Sequence, residues 1–580
     1  MSITRLHRLS TPAISKTSRF RVTFWLSLSL AFAAIYSFLG WREAFSSEYV
    51  VQDDARQHVF WMLRFLDPEL FPQDLIANYF QSVAPPGYTA LYHAAASVGI
   101  NPLLLNKLLP TVLGLITTGY CFGVCLQMLP LPSAGFAATL LLNQILWMKE
   151  DLVSATPRAF AYPLFLAFLY YLLRRSWLGS AVAIALLGLF YPHYVFVSAG
   201  ILIIRLWDWK IGRLRLSQNR KDYLLCATGI GVALLVLLPY ALKSSEFGPA
   251  ITASEARQLP EFLPGGRTQF FHENPWKFWF NGQRSGILPR SLFTPVTVYI
   301  GLLLPLLQRF PSQFPLVKKV TSEITLLPQI ALASLVMFFA AHALLFKLHV
   351  PSRYTGQSLR IIMALAAGIV LIVMLDAVFH WAGLAKRHLQ MRRQFLELGT
   401  VVLVGGALVF YPSFVKGFPF AKYKVGEVPA LYEFFQKQPQ DILIASLAEE
   451  ANNIPTFSQR SILVGREYAI PYQVGYYNQF RQRTIELIRA QYSQDLAQIQ
   501  NFLRTYGVDF WLLDRAAFTP EYVATNEWIR QYQPAAKEAL VKLQQGTTPV
   551  LSSVMKRCSV FETEGLVVLQ AECTAKAHGV

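Results

Sequence analysis

The chain has 580 residues, 54% of them hydrophobic and only 15% charged, with a positive mean hydropathy. A composition this apolar excludes an ordinary soluble protein of such length and defines a polytopic membrane protein. The net charge of +18 does not indicate nucleic acid as a partner: basic residues fall between apolar runs and form no single patch interleaved with aromatics.

The N-terminal tail carries Arg5, Arg8, Lys16, Arg19 and Arg21 and no acid. The first apolar run, 20–41, is as long as a full span and has no small-residue cleavage site, so it is expected to be a retained helix. Further spans are expected near 103–128, 132–148, 159–174, 177–191, 193–206, 223–241, 291–308, 326–346, 358–382 and 397–413, about eleven crossings in total. If the tail is inside, alternate connections should be basic, and they are: Arg174 and Arg175; Arg205 to Lys221; Arg309, Lys318 and Lys319; Lys386 to Arg393. The expected topology is therefore N-in and C-out in a plasma (inner) membrane. The loops 42–102 and 242–290 and everything after 413 then face outward. Merging 177–206 across Tyr191-Pro192-His193 would put Arg205 to Lys221 outside, against the same rule.

Loop 42–102 begins with SEYVVQDDARQHVFW, Ser47 to Trp61. A helix starting near Gln52 would place Asp54 one turn before His58 and Asp53 over Arg56 and Gln57. Its other face would carry Val59, Phe60, Met62, Leu63 and Leu66 toward lipid or protein. A plainer reading makes Asp53 and Asp54 caps of a helix N-terminus. Turn signals at Asp67-Pro68, Phe71-Pro72 and Pro85-Pro86-Gly87 divide the rest into short interfacial helices.

Residues 1–413 are thus expected to form the membrane domain and 414–580 an extracytoplasmic α/β domain. The latter alternates strand-like runs (441–446, 461–465, 510–514, 566–570) with helix-like ones (428–437, 476–489, 494–506, 519–532). Cys121, Cys125 and Cys226 lie in spans and are most simply small apolar residues. Cys558 and Cys573 flank a hairpin in the outward part, where a disulfide is permitted.

Walker, dinucleotide-binding, GxSxG and HExxH motifs are all absent. The candidates for chemistry are charged residues on the outward side: Asp53, Asp54, His58 and Asp74; Lys149, Glu150, Asp151 and Arg158; His193; and Lys347, His349, Arg353 and Arg360. Ionisable groups at membrane depth are costly and point to function, although such residues also snorkel or form solvated turns. Carboxylates facing cations suit transfer from a lipid phosphate. A carboxylate takes the proton of an attacking hydroxyl, and Arg, Lys or His neutralises the departing phosphate.

A first helix followed by a long outward loop with Asp53-Asp54, a second outward loop with Glu150-Asp151, a cationic last loop His349-Val-Pro-Ser-Arg353-Tyr354 and an α/β tail resembles the GT-C superfamily of polytopic glycosyltransferases. The resemblance implies a polyprenyl-phosphate sugar as donor and an extracytoplasmic lipid, glycan or protein as acceptor, with hexosyl or pentosyl transfer. It implies Asp53 as base with Asp54 beside it, Glu150 or Asp151 serving the acceptor or a divalent metal, and Arg353 on the donor phosphate, with Arg158, His193 and His349 as further phosphate candidates. No WWDYG-like signature is present, which speaks against transfer to asparagine. Two other classes compete, a transporter or flippase and a non-catalytic membrane scaffold. The former should show two similar halves, and none are seen.

Overall fold

The computed structural model of the protein describes residues 19–210, 213–242, 245–288, 294–383 and 390–576. Arg5, Arg8 and Lys16 lie outside these, as do 386–389 of the basic segment Lys386 to Arg393 and the first residues of the span expected at 291–308.

The long helix α1 (Arg19–Ala44) leads to the short strand β1 (Val50–Gln52). After a single helical turn, Ala55–His58, come α2 (Leu75–Val83) and α3 (Pro86–Ser97). The bundle continues with α4 (Pro102–Met128), α5 (Pro132–Trp147), α6 (Ala161–Leu173), α7 (Trp177–Phe190) and α8 (His193–Arg205). A hairpin of β2 (Trp207–Lys210) and β3 (Arg213–Leu216) precedes α9 (Arg220–Leu242); the later helices are α10 (Leu326–Ala343), α11 (Ser352–Gly383) and α12 (Gln390–Phe410). Five helices are long and apolar enough to cross a membrane, those built on α1, α4, α9, α10 and α11; others, including α6, α7 and α8, are apolar but shorter. The chain is a multi-pass membrane protein, with fewer full-length spans among its described residues than the eleven crossings expected. One reason is visible in α5, whose 16 residues are almost all buried, so that this helix meets protein on every side. The break expected at Tyr191–His193 is present, with Pro192 at the start of α8.

Helix α11 packs along α5. A Cβ on Gly368 would come within 2.5 Å of the Ala138 backbone nitrogen, so the two backbones approach as closely as small residues permit. Segments carrying the basic connections meet at one end of the bundle. Arg205 pairs with Glu323 at 2.6 Å, Arg175 lies 3.7 Å from Asp222, and the Thr321 N–H donates to the Met128 carbonyl at 2.8 Å.

An α/β layer caps the opposite end. After β4 (Tyr423–Val425) and α13 (Pro429–Gln436) come β5 (Leu443–Ser446), β6 (Ser461–Ile462), α14 (Val474–Gln491), α15 (Leu496–Tyr506), β7 (Phe510–Asp514), β8 (Ser559–Glu562) and β9 (Leu566–Gln570). The sheet order is β6-β5-β7-β9-β8, with β5 parallel to β6 and β7 and with β9 antiparallel to β7 and β8. Cys558 and Cys573 are disulfide-bonded across the β8–β9 hairpin, with Cα atoms 5.5 Å apart. Cys121, Cys125 and Cys226 are free thiols.

One expectation for the first loop changes and one is narrowed. The chain up to Gln52 is a strand, because β1 pairs antiparallel with β4 and ties the loop to the segment leaving α12. The apolar run Val59–Leu63, expected to face lipid or protein, is at most 2% exposed and packs against protein. Phe60, for example, lies against Phe71 and against Tyr468 of the cap, with ring centroids 5.3 and 5.6 Å away.

Candidate active site

The β1–β4 pairing brings both acidic pairs together. At its end the Asp53 N–H donates to the Lys422 carbonyl at 3.2 Å, and Lys422, in the left-handed region at φ 51°, extends its Nζ to within 2.7 Å of Glu150 Oε2. Asp54 occupies the cap position of the turn Ala55–His58, yet its side chain caps nothing; it pairs with Arg158. The plainer reading therefore fails for Asp54. Asp74, a candidate for chemistry in the sequence, is instead a structural cap: its Oδ1 accepts from Ile76 N and Ala77 N at the start of α2.

Arg158 lies between three carboxylates. Besides Asp54 it stands 3.5 Å from Glu150 Oε1 and 3.6 Å from Asp151 Oδ1. Asp151 also pairs with Arg360 and accepts from the Tyr162 hydroxyl at 3.2 Å, while Arg360 donates to that hydroxyl at 2.8 Å. Asp53 pairs with Arg56 in the i,i+3 relation that the sequence suggests. Arg56 in turn meets Glu467 at 3.2 Å and donates to Asn453 Oδ1 at 3.0 Å, both in the cap, and Glu467 also binds Arg267 and Gln57. Arg267, Lys422 and Glu467 carry no motif around them that would have marked them.

Helix α11 starts before the expected span 358–382, so Arg353, expected in a loop, sits in its first turn, and Arg360 lies further along it. The run SRYTGQSLR is too polar for a hydropathy window, and some of its polar groups meet protein: Ser358 N donates to the Tyr194 hydroxyl at 2.8 Å and Ser352 Oγ to the Gln283 carbonyl at 3.0 Å. Arg353 is half-buried and has no hydrogen-bond or ion-pair partner for its guanidinium among the described residues. Beside it stand His193 and His349, ring centroids 5.3 Å apart. Lys347 is exposed and pairs with none of these groups.

Electrostatics sort the groups. Burial would raise the Asp54 carboxyl, but Arg158, His58, Arg353 and Arg267 together hold it below its ordinary value, so it is ionised. Burial pushes the His58 imidazole down to about 4. His349 is also held well below its usual value, by burial and by His193, Arg353 and Arg284. Lys149 is pushed down to about 8, chiefly by burial and by Arg360.

A divalent ion does not fit this donor set. No three His, Cys, Asp or Glu side chains converge among the described residues. Glu150 and Asp151, the residues considered for a metal, face Lys422, Arg158 and Arg360. Two surface cavities, of about 340 and 130 Å³, lie along α14 and are lined by none of these charged groups.

A helical membrane bundle capped by an α/β layer, with two acidic pairs at their junction, has the fold of the GT-C membrane glycosyltransferases. No protein-family model and no curated protein matches the sequence. Among solved structures, the oligosaccharyltransferase of Archaeoglobus fulgidus superposes at a TM-score of 0.56 with 11% identity, over 90% of this chain and 72% of its own. The oligosaccharyltransferase AglB of the same organism, in complex with an inhibitory peptide and a dolichol-phosphate, gives 0.55 and 12% over 90% and 73%. ArnT from Cupriavidus metallidurans aligns over 96% of this chain and 99% of its own, with 14% identity and a looser TM-score of 0.45. At these identities the likeness concerns the fold alone.

Proposed function

We propose that the protein is a membrane glycosyltransferase that moves a sugar from a polyprenyl-phosphate donor to a hydroxyl of an extracytoplasmic acceptor. The observation that carries this reading is an ionised carboxylate, Asp54, lying in the field of a guanidinium, Arg353, that has no protein partner among the described residues. In this reading Asp54 takes the proton of the acceptor hydroxyl as its oxygen attacks the anomeric carbon. The bond from that carbon to the phosphate oxygen breaks, and the lipid phosphate leaves with its new charge facing Arg353. His349 and His193 complete the phosphate surface. Asp53, tied to Arg56 and through it to the cap, supports the base, a role assigned here to Asp54, whose carboxylate lies in the field of Arg353. Glu150 and Asp151 orient Arg158. The fold likeness to AglB, whose structure holds a dolichol-phosphate, supports the donor class. The basic connections gathered at the opposite end of the bundle favour a cap facing outward from the plasma membrane, as the positive-inside rule requires.

The test uses purified protein in lipid nanodiscs with undecaprenyl-phosphate hexoses and pentoses and cell-envelope acceptor. Asp54→Asn should lower transfer by about 10²–10⁴-fold with an unchanged melting temperature. Arg353→Ala should weaken binding of undecaprenyl phosphate, and Arg353→Lys should restore part of it. Full transfer by Asp54→Asn and Asp53→Asn alike would rule out both as the base, whereas no transfer by the wild-type protein would overturn the enzyme reading in favour of a scaffold. Reporter fusions after Lys221 and after Pro412 test the orientation.

A further inference from the structure

The sequence NPWKFWF, residues 274–280, follows α9 and is the most aromatic stretch in its loop. Asn274 Oδ1 accepts from Trp276 N at 2.9 Å and Lys277 N at 3.2 Å, starting a single wide helical turn, Lys277–Asn281. On this turn Trp276 is 63% and Trp279 39% exposed, and Trp276 stacks on Phe280 with ring centroids 4.0 Å apart. Rings of that size left in water cost about 25 cal/mol for each Å² of apolar surface, so a partner is expected.

The neighbouring surface identifies the partner. Leu332, Val336 and Phe339 of α10 recur at helical spacing and are 51%, 56% and 52% exposed. They belong to a helix long and apolar enough to cross a membrane, so this stripe faces lipid. Trp279 lies 6.4 Å from Phe339 and 4.6 Å from His342 between ring centroids. The aromatic surface thus continues the lipid-facing stripe at the end of the span, the depth at which indole rings with one apolar and one polar edge concentrate.

The turn is also fixed to the bundle. His342 Nε2 donates to the Ser285 carbonyl at 2.9 Å, and Phe278 packs against His342 at 5.5 Å between centroids. Ser352, one residue before Arg353, donates through its N–H to the Arg284 carbonyl at 3.2 Å and through Oγ to the Gln283 carbonyl at 3.0 Å. We propose that residues 276–280 form a membrane-interface anchor: Trp276, Trp279 and Phe280 seat in the headgroup–acyl boundary of the bilayer and hold the Gln283–Arg284 segment against the first turn of α11. This proposal needs the protein to be in a membrane and does not depend on the reaction assigned above.

The test places a nitrobenzoxadiazole label on Trp276→Cys, in a Cys226→Ser background, in vesicles of phosphatidylcholine and phosphatidylglycerol. A second label at Trp279→Cys guards against misfolding of the first variant, and one at Glu564→Cys on the exposed β8–β9 turn serves as the aqueous reference. Lipids bearing a nitroxide near the headgroup should remove most of the emission at 276 and 279 and little at 564, with the opposite order for iodide. Iodide quenching at 276 and 279 equal to that at 564 would show a solvated surface and overturn the proposal. Protection from both quenchers, with cross-linking to a second protein chain, would overturn it in favour of a protein interface.

Discussion

The carboxylate of Asp54 is paired with the guanidinium of Arg158 across 104 residues of sequence. Through this pair the first acidic loop is fitted to the second, since Arg158 also faces Glu150 and Asp151. Arg158→Lys keeps a positive charge but loses the planar fork that addresses several carboxylates. Loss of one charge-assisted bond of about 1.5–3 kcal/mol corresponds to about ten- to a hundredfold in kcat/KM. Arg158→Ala also removes the main influence holding Asp54 below its ordinary value, so the acid limb of the pH–rate profile should move to higher pH. An acid limb that stays in place would separate Asp54 from the proton transfer.

Asp151 and Arg360 are a different case, 9% and 6% exposed and sharing the Tyr162 hydroxyl. Breaking a buried pair from one side costs up to about 3–5 kcal/mol, and loss of Arg360 leaves Asp151 with Arg158 at 3.6 Å. Arg360→Met should lower the melting temperature sharply, whereas Asp151→Asn combined with Arg360→Met should recover most of the loss. A double variant as unstable as the single one would indicate that the pair serves packing through Tyr162 rather than charge.

Much of this architecture is legible in the sequence because apolar length and periodicity are local. The long spans, the break before His193, the sheet strands at 510–514 and 566–570, and the cysteines that flank the β8–β9 hairpin all follow from neighbours in the chain. The acidic pairs were visible for the same reason, as doublets after a span. Three kinds of feature were not. Strands β1 and β4 have three residues each and acquire their structure only by pairing across the whole bundle. Glu467 meets Arg56 and Arg267 over separations of 411 and 200 residues, which no spacing rule reaches. The first turns of α11 are polar because protein surrounds them, so a hydropathy reading begins that helix too late.

The disulfide Cys558–Cys573 closes a 15-residue separation around β8 and β9, at the edge of the cap sheet. Restricting an unfolded loop of that length is worth about 3 kcal/mol in the chain-entropy model. Cys558→Ser with Cys573→Ser should therefore lower the melting temperature of the cap while leaving transfer at permissive temperature intact, since neither sulfur lies near Asp54. Limited proteolysis with and without reductant checks the location of the loss. Cleavage within the bundle instead of near β8 would contradict it.

His58 offers a pH readout of the site. It lies one turn after Asp54, its N–H donating to the Asp54 carbonyl at 3.1 Å, and its ring meets Phe80 edge-on at 5.7 Å between centroids. Burial, helped by Arg158 and Arg353 and opposed by Asp54, pushes its imidazole down to about 4 from the ordinary 6.5. In the unfolded chain the ring binds its proton near 6.5, so between these values the unfolded state carries more protons than the folded one. Stability therefore rises with pH across that window, is complete above it and falls on acidification, by at most about 1.4 kcal/mol per pH unit for one proton. Asp54 adds to the loss only at lower pH, because a carboxyl held below its ordinary value stays charged through this range. Thermal unfolding of the wild type and of His58→Gln between pH 7.5 and 4.5 isolates the effect, since His349 contributes equally to both profiles. The wild-type melting temperature should fall faster than that of His58→Gln below pH 6.5. Parallel profiles would mean that His58 titrates as an open imidazole, and the packing of the Asp54 loop against the cap would have to be drawn differently.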